Sequence, residues 1–261
     1  MMNENKYSYK QMSLFSSQLV IPRETYQRPF TSPRAKVIAD NFDERIANEP
    51  KVSYRDGKYF VFDGQHTIAA RVLRAGGKDV PIKCKVYYGM TEKEEALLFA
   101  QQTGISAPLS AGARIRAEIF GDKPESAAFF AANEAIGLQL DYDHARGLNR
   151  IGCIQTAFNA FMRIGEERYK EAMTILKAAW DGEPDSFRTE NVLAITYFVD
   201  LYHGQYCPQR LLAQLRRFDP LTIYREGRAM GVNLAGYKKY LFQLLCIYNA
   251  NSKRHSLPMK F

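Results

Sequence analysis

The chain has 261 residues, 46% hydrophobic and 25% charged, with a formal net charge of +8; that is enough apolar material for one large core or two modest ones and argues against disorder. Four widely spaced cysteines, Cys84, Cys153, Cys207 and Cys246, form no C-x-x-C pair, which rules out a zinc knuckle and suits a reducing compartment. No apolar run reaches the roughly 20 residues of a membrane span, and the opening MMNENKYSYKQMSLFSSQLVIP is too polar and interrupted for a signal peptide, so a soluble, cytoplasmic protein is expected.

In chain order, 13–30 (SLFSSQLVIPRETYQRPF) is expected to be a short extended segment ending in a turn. Ser32-Pro33 opens a helix over 33–47: Ser32 can cap it, Pro33 suits the first helical position, and Val37, Ile38, Phe42 and Ile46 recur at helical spacing. Two β-rich runs flanking Arg55-Asp56-Gly57 predict a hairpin over 51–64, because Asp-Gly favours the left-handed backbone of tight hairpin turns. A helix from about residue 65 to 75 ends at Gly76-Gly77. The run 80–89 alternates as a strand, with Ile82, Cys84 and Val86 on one face and Lys83 and Lys85 on the other. Thr91 and Glu94 form a capping box for a helix over 92–102. A helix begun at Ser110 closes this part near Phe120.

Beyond Gly121 the strand signals nearly vanish. Helices are expected over 124–137, 151–164, 166–180, 188–203, 208–217 and 233–249, with breaks at Asp181-Gly182-Glu183-Pro184 and Cys207-Pro208. The apolar stripes within 153–182 have the pattern of bundle core. The segment 189–204, apolar almost all round, is expected to be the most central helix, with Thr189 as its cap. The expected fold class is α+β: a small mixed-sheet domain over 13–120, then an all-α helical domain over 121–261 with a basic C-terminal region.

Charge is unevenly spread: residues 1–120 carry a net +5, 121–208 carry −5 and 209–261 carry +8. In the last segment Phe218, Tyr224, Tyr237 and Tyr240 interleave with Arg216, Arg217, Arg225, Arg228, Lys238 and Lys239. Cations neutralise phosphates and aromatic faces stack on bases, so those six cations are the candidate nucleic-acid-binding residues. A basic solvated face whose tyrosines pack inward fits the same pattern. A helix-turn-helix over 188–217 is conceivable, but the joining stretch 204–208 is long and no recognition helix stands out.

The densest chemistry lies in 58-KYFVFDGQHTIAARVLRAGG-77, where an apolar strand runs into Asp63-Gly64-Gln65-His66 and a helix begins at once. Gly64 permits an unusual backbone and a close ligand approach. The helix start presents free N–H groups and a positive dipole end, where phosphate binds readily. Asp63 and His66 are the protonatable groups nearest that position, candidates for acid/base work or a metal contact. The plainer alternative is a helix cap, a surface histidine and a corner glycine. Elsewhere, His203 and Cys207 are four apart, but Gly204 and Pro208 interrupt their helix, so no metal is expected there. His144 sits in a polar loop with Asp141, Asp143 and Arg146.

The segment FVFDGQHTIAA resembles the Asp-Gly-Gln-His-Arg signature of the ParB/sulfiredoxin-like superfamily, in which a strand meets a helix and nucleotide phosphates bind. The segment 21-IPRETYQRPF-30 resembles that family's early Tyr-Gln-Arg segment, Pro81 and the strand after it resemble its "IPV" strand, and 95–117 resembles the helix–loop–helix completing the pocket. The arrangement is most similar to uncharacterised ParB-like proteins of phages and conjugative elements. The resemblance implies a cofactor site at Gly64, Gln65, His66, Thr67 and Arg28 for a nucleoside triphosphate, with or without magnesium.

Departures qualify it. Thr67 stands where the family usually has a phosphate-gripping arginine, a cation that Arg28 could replace. Gln65 replaces the reactive cysteine of sulfiredoxins, which removes that chemistry. Gln101, Gln102, Thr103 and Ser106 offer no carboxylate or arginine for the second half of the pocket. The leading expectation is a nucleic-acid-binding accessory protein of a mobile element. One alternative is a nucleotide-dependent transferase or nuclease using Asp63 and His66 as catalytic residues. The other is a phage-encoded module that docks on a host or phage protein and inhibits a host nucleic-acid enzyme. Basic surface serves both the first and the last.

Overall fold

The computed structural model describes residues 8–101, 109–143, 145–231, 234–251 and 254–261. The chain is a mixed α+β protein that divides into two compact units, residues 1–123 and 124–261.

The first unit is built on a five-stranded sheet of order β1-β5-β3-β4-β2: β1 (Tyr9–Phe15), β2 (Leu19–Val20), β3 (Lys51–Arg55), β4 (Lys58–Asp63) and β5 (Pro81–Tyr88). The β3–β4 hairpin closes at Asp56 (φ 51°) and Gly57 (φ 72°), the doubly left-handed turn that Asp-Gly predicts. Helix α2 (Gln65–Arg74) carries the chain from β4 to β5, which lies parallel to β3 and antiparallel to β1. Strand alternation sends Leu14, Val52, Val61, Ile82, Cys84 and Val86 into a core with Ile68 of α2. A second core gathers Tyr26, Phe62 and Met90 with α3 (Glu92–Ala100) and α4 (Ala111–Phe120), through Ala96, Phe99 and Ala117. Both caps form as expected: Thr91 and Glu94 bond reciprocally, and the Ser110 hydroxyl accepts the Ala113 N–H.

Helix α1 (Ser32–Asp40) is shorter than the expected 33–47. Asn41 folds its side-chain amide back to the Val37 carbonyl, and Arg45 wraps around Asp43, so local side-chain bonds compete with helix continuation. Ser32 is the first helical residue rather than the cap; Thr31 holds that position without a side-chain bond. Val37 and Ile46, 62% and 70% exposed, do not join the core. The extended N-terminal segment starts at Tyr9 and is broken by a 3₁₀ turn over Ser16–Gln18.

The second unit contains α5 (Pro124–Ala135), α6 (Ile154–Ile164), α7 (Glu166–Ala179), α8 (Thr189–Leu201), α9 (Pro208–Leu215), α10 (Thr222–Ala229) and α11 (Lys238–Asn249). Helix α8 is central, packing on α6, α7, α10 and α11 and burying Val192, Ala194, Ile195, Phe198 and Val199. Its cap position belongs to Arg188, without a side-chain bond, and Thr189 is its first helical residue. The unit is not all-helical. Two two-residue strands, β6 (Gln139–Leu140) and β7 (Arg150–Ile151), pair in parallel, so the helix expected from 151 starts at Ile154. Helix α10 answers no expected element, and the helix expected from 233 begins at Lys238.

Candidate functional site

Strand β4 ends at Asp63 and α2 begins at Gln65, so the whole change of direction falls on Gly64 (φ 100°, ψ 13°). A Cβ there would lie 3.0 Å from the Pro50 Cα, so both backbone conformation and space require glycine. The Ile68 N–H bonds back to the Gly64 carbonyl, which leaves the N–H groups of Gln65, His66 and Thr67 as the open first turn. Residues 63–67 line a cleft of about 480 Å³ together with Arg28, Arg34 and the loop 41–48, with Val37, Ile38, Phe42, Ile46 and Ala47 as an apolar wall.

Arg28 reaches this cleft because the chain before it is pinned. Tyr26, fully buried, donates its hydroxyl to Glu95 Oε2 at 2.8 Å. Gln27 donates to the Val61 carbonyl at 3.0 Å, and Gln65 donates to the Arg28 carbonyl at 2.9 Å. The half-buried Arg28 guanidinium titrates below its ordinary range, first because of burial and then because Arg34 is near; Asp63 partly opposes this. Among the described residues neither Arg28 nor Arg34 enters an ion pair, and Arg28 Nε and Gln65 Oε1 are buried without a hydrogen-bond partner.

His66 is 5% exposed, stacks on Phe30 with centroids 5.4 Å apart, and accepts the Thr31 N–H through Nε2 at 3.4 Å. Burial, then Arg28, Arg34 and Arg23, lower its pKa to about 4. It is therefore neutral at neutral pH, with its remaining proton on Nδ1. Asp63 accepts from Lys51 Nζ at 3.0 Å, and Asp43, on the cleft's rim, is held by Arg45. Thr67, half-buried, completes the lining. With both carboxylates matched, Arg28 and Arg34 remain as surplus positive charge beside a helix N-terminus. An anion carried on an apolar body fits that combination.

The structure thus brings together all six corner residues expected from sequence: Arg28, Asp63, Gly64, Gln65, His66 and Thr67. Sequence reasoning does not assign Arg34 to the site; its sole local signal is a place in the first turn after Pro33. Gln102, Thr103, Ser106 and His144 lie outside the described residues. Among the described residues no group of three or more His, Cys, Asp or Glu could hold a metal.

The C-terminal cations are spread over neighbouring helices, and several have work within the fold. Arg216 donates to the Ala178 carbonyl in the last turn of α7, Arg217 reaches Gln214, and Arg225 pairs with Asp219 at 3.3 Å. Arg228 is exposed at the end of α10, and Lys238 and Lys239 open α11. The aromatic faces are partly occupied: Tyr237 stacks on Tyr197 at 3.6 Å, Arg163 lies over Tyr197, and Arg188 lies over Tyr224.

No curated protein and no solved structure matches the chain. Residues 21–261 match a family of unknown function, DUF6551, and the chain belongs to that family.

Proposed function

We propose that this is a ParB-like, nucleic-acid-binding accessory protein that also holds the phosphates of a nucleotide at the Asp63–His66 corner. The observation that carries the reading is Arg28 and Arg34, neither in an ion pair among the described residues, lining an apolar-walled cleft with the first turn of α2. Phosphate takes the N–H groups and the arginines; the apolar wall takes the rest of the ligand. A magnesium ion bound with nucleotide usually draws on one or two protein carboxylates. Asp63 and Asp43 are already engaged by Lys51 and Arg45, so the residues present do not fit that ion. The low basicity of His66 and the Lys51–Asp63 pair likewise favour binding over turnover.

Calorimetric titration with a panel of nucleoside triphosphates, with and without magnesium, tests this. At least one nucleotide is expected to bind without magnesium. Arg28→Ala and Arg34→Ala should each weaken it by about 10- to 100-fold, the worth of one hydrogen bond to a charged group. Silence across the panel, or affinity unchanged in both variants, would remove the corner from the function.

A further inference from the structure

The two edges of the first unit's sheet are unlike. One edge ends in β2, only two residues long, a length that natural sheets use to blunt pairing. The other edge is β1, seven residues long, with Tyr9, Lys10, Gln11, Ser13 and Phe15 exposed.

Which backbone groups of β1 are free follows from their bonds. Ser16 donates its N–H to Val80, and Lys85 donates away from β1, to Pro50, both at 2.9 Å. Phe15 instead donates to the Gln18 side chain at 2.8 Å. Even-numbered residues of β1 therefore bond inward to β5, and the N–H and C=O groups of Tyr9, Gln11 and Ser13 point outward, where none has a hydrogen bond among the described residues.

In the edge sequence Tyr-Lys-Gln-Met-Ser-Leu-Phe, aromatic residues stand three places either side of Met12 and polar ones one place either side, while Lys10 and Leu14 do not match. Paired antiparallel with a second copy, Tyr9 faces Phe15, Gln11 faces Ser13, and Lys10 faces Leu14. Two exposed aromatics, 46% and 51% accessible, then cover each other at both ends, and no like charges stand opposite. The outward groups of Gln11 and Ser13 exchange both hydrogen bonds, while Phe15, whose N–H is already given to Gln18, can only accept from Tyr9. We infer that β1 is an isologous interface through which two copies of this chain join their sheets edge to edge about a two-fold axis at Met12.

Analytical ultracentrifugation over a concentration series should show a species of twice the 29.9 kDa chain mass. Ser13→Pro removes only an outward N–H, which an edge strand tolerates; it should return the monomer with an unchanged circular dichroism spectrum. The register has its own test in a Cys207→Ser/Cys246→Ser background. Met12→Cys places two thiols across the axis in a non-hydrogen-bonded pair, about 4.5 Å apart at Cα and within disulfide reach, and mild oxidation should cross-link it. Lys10→Cys, displaced from the axis, should not cross-link. A monomer at every concentration, or a dimer indifferent to Ser13→Pro, would overturn the interface. So would equal cross-linking at positions 10 and 12.

Discussion

His66 is the residue whose environment says most about the corner. Its side chain is buried against Phe30, and three arginines oppose its protonation, so it titrates near 4 instead of its ordinary 6.5. The unfolded chain therefore binds a proton at this position that the folded chain refuses. Stability is fully present above about pH 6.5 and declines as pH falls from there towards 4. Burial is the larger cause of the shift, but an anion that neutralises Arg28 and Arg34 removes two of the opposing charges. The expected outcome is a raised His66 pKa and, by linkage, anion binding that strengthens as pH falls through the same window. Histidine-resolved NMR titration should place the free midpoint near 4 and move it upward with saturating nucleotide. A midpoint that does not move would separate ligand binding from these arginines.

At the scale of elements, the placing of Arg28 depends on a buried ionic knot joining β3, α3 and the 21–30 segment. Glu95 has no solvent exposure; one carboxylate oxygen accepts from Arg55 Nε at 2.8 Å and the other from Tyr26. The Arg55 guanidinium also lies 3.6 Å from the Phe60 ring centroid. Arg55→Ala would leave a buried carboxylate without its cation, which costs about 3–5 kcal/mol, whereas removing both charges together is far milder. Urea unfolding of Arg55→Ala, Glu95→Leu and the double variant should therefore give strongly non-additive losses. Additive losses would mean that the pair is not coupled. Legibility follows the same line between local and distant causes. The Asp56-Gly57 hairpin, the Gly76-Gly77 stop, the β5 alternation and the Thr91/Glu94 cap are complete within a few residues, and sequence displays them. The early end of α1 depends on side chains folding back on the backbone. Helix α10 depends on Gly227 giving room to the Tyr240 ring, where a Cβ would lie 2.6 Å away. Two-residue strands such as β6 and β7 are too short to show any period. In the corner, Gly64 to His66 was visible because strand, glycine and helix start are contiguous. The pairing of Arg34 with Arg28, and the orphaned Gln65 oxygen, exist only once the chain has folded.

For the whole molecule, the charge excess of residues 209–261 needs dividing into cations that hold the fold and cations that are free to meet a polyanion. Arg216 belongs to the first kind, since its guanidinium closes the carboxyl end of α7 at Ala178. Lys238 and Lys239 belong to the second: among the described residues neither makes an ion pair, and Lys239 merely leans over Tyr240 at 4.9 Å. Counterion release separates the two kinds without any knowledge of the binding sequence. Each phosphate neutralised on duplex DNA contributes a slope of about −0.9 to log affinity against log salt. Replacing Lys238 and Lys239 by Gln should flatten that slope by up to about 1.8 and leave the denaturation midpoint nearly unchanged. Arg216→Ala should do the opposite, losing about 1 kcal/mol of stability with little change in slope. Fluorescence anisotropy with labelled DNA over a salt series, beside urea denaturation of the same variants, measures both quantities. A slope indifferent to the lysines would mean that the C-terminal charge serves something other than a phosphate backbone, and an acidic protein surface would become the better partner.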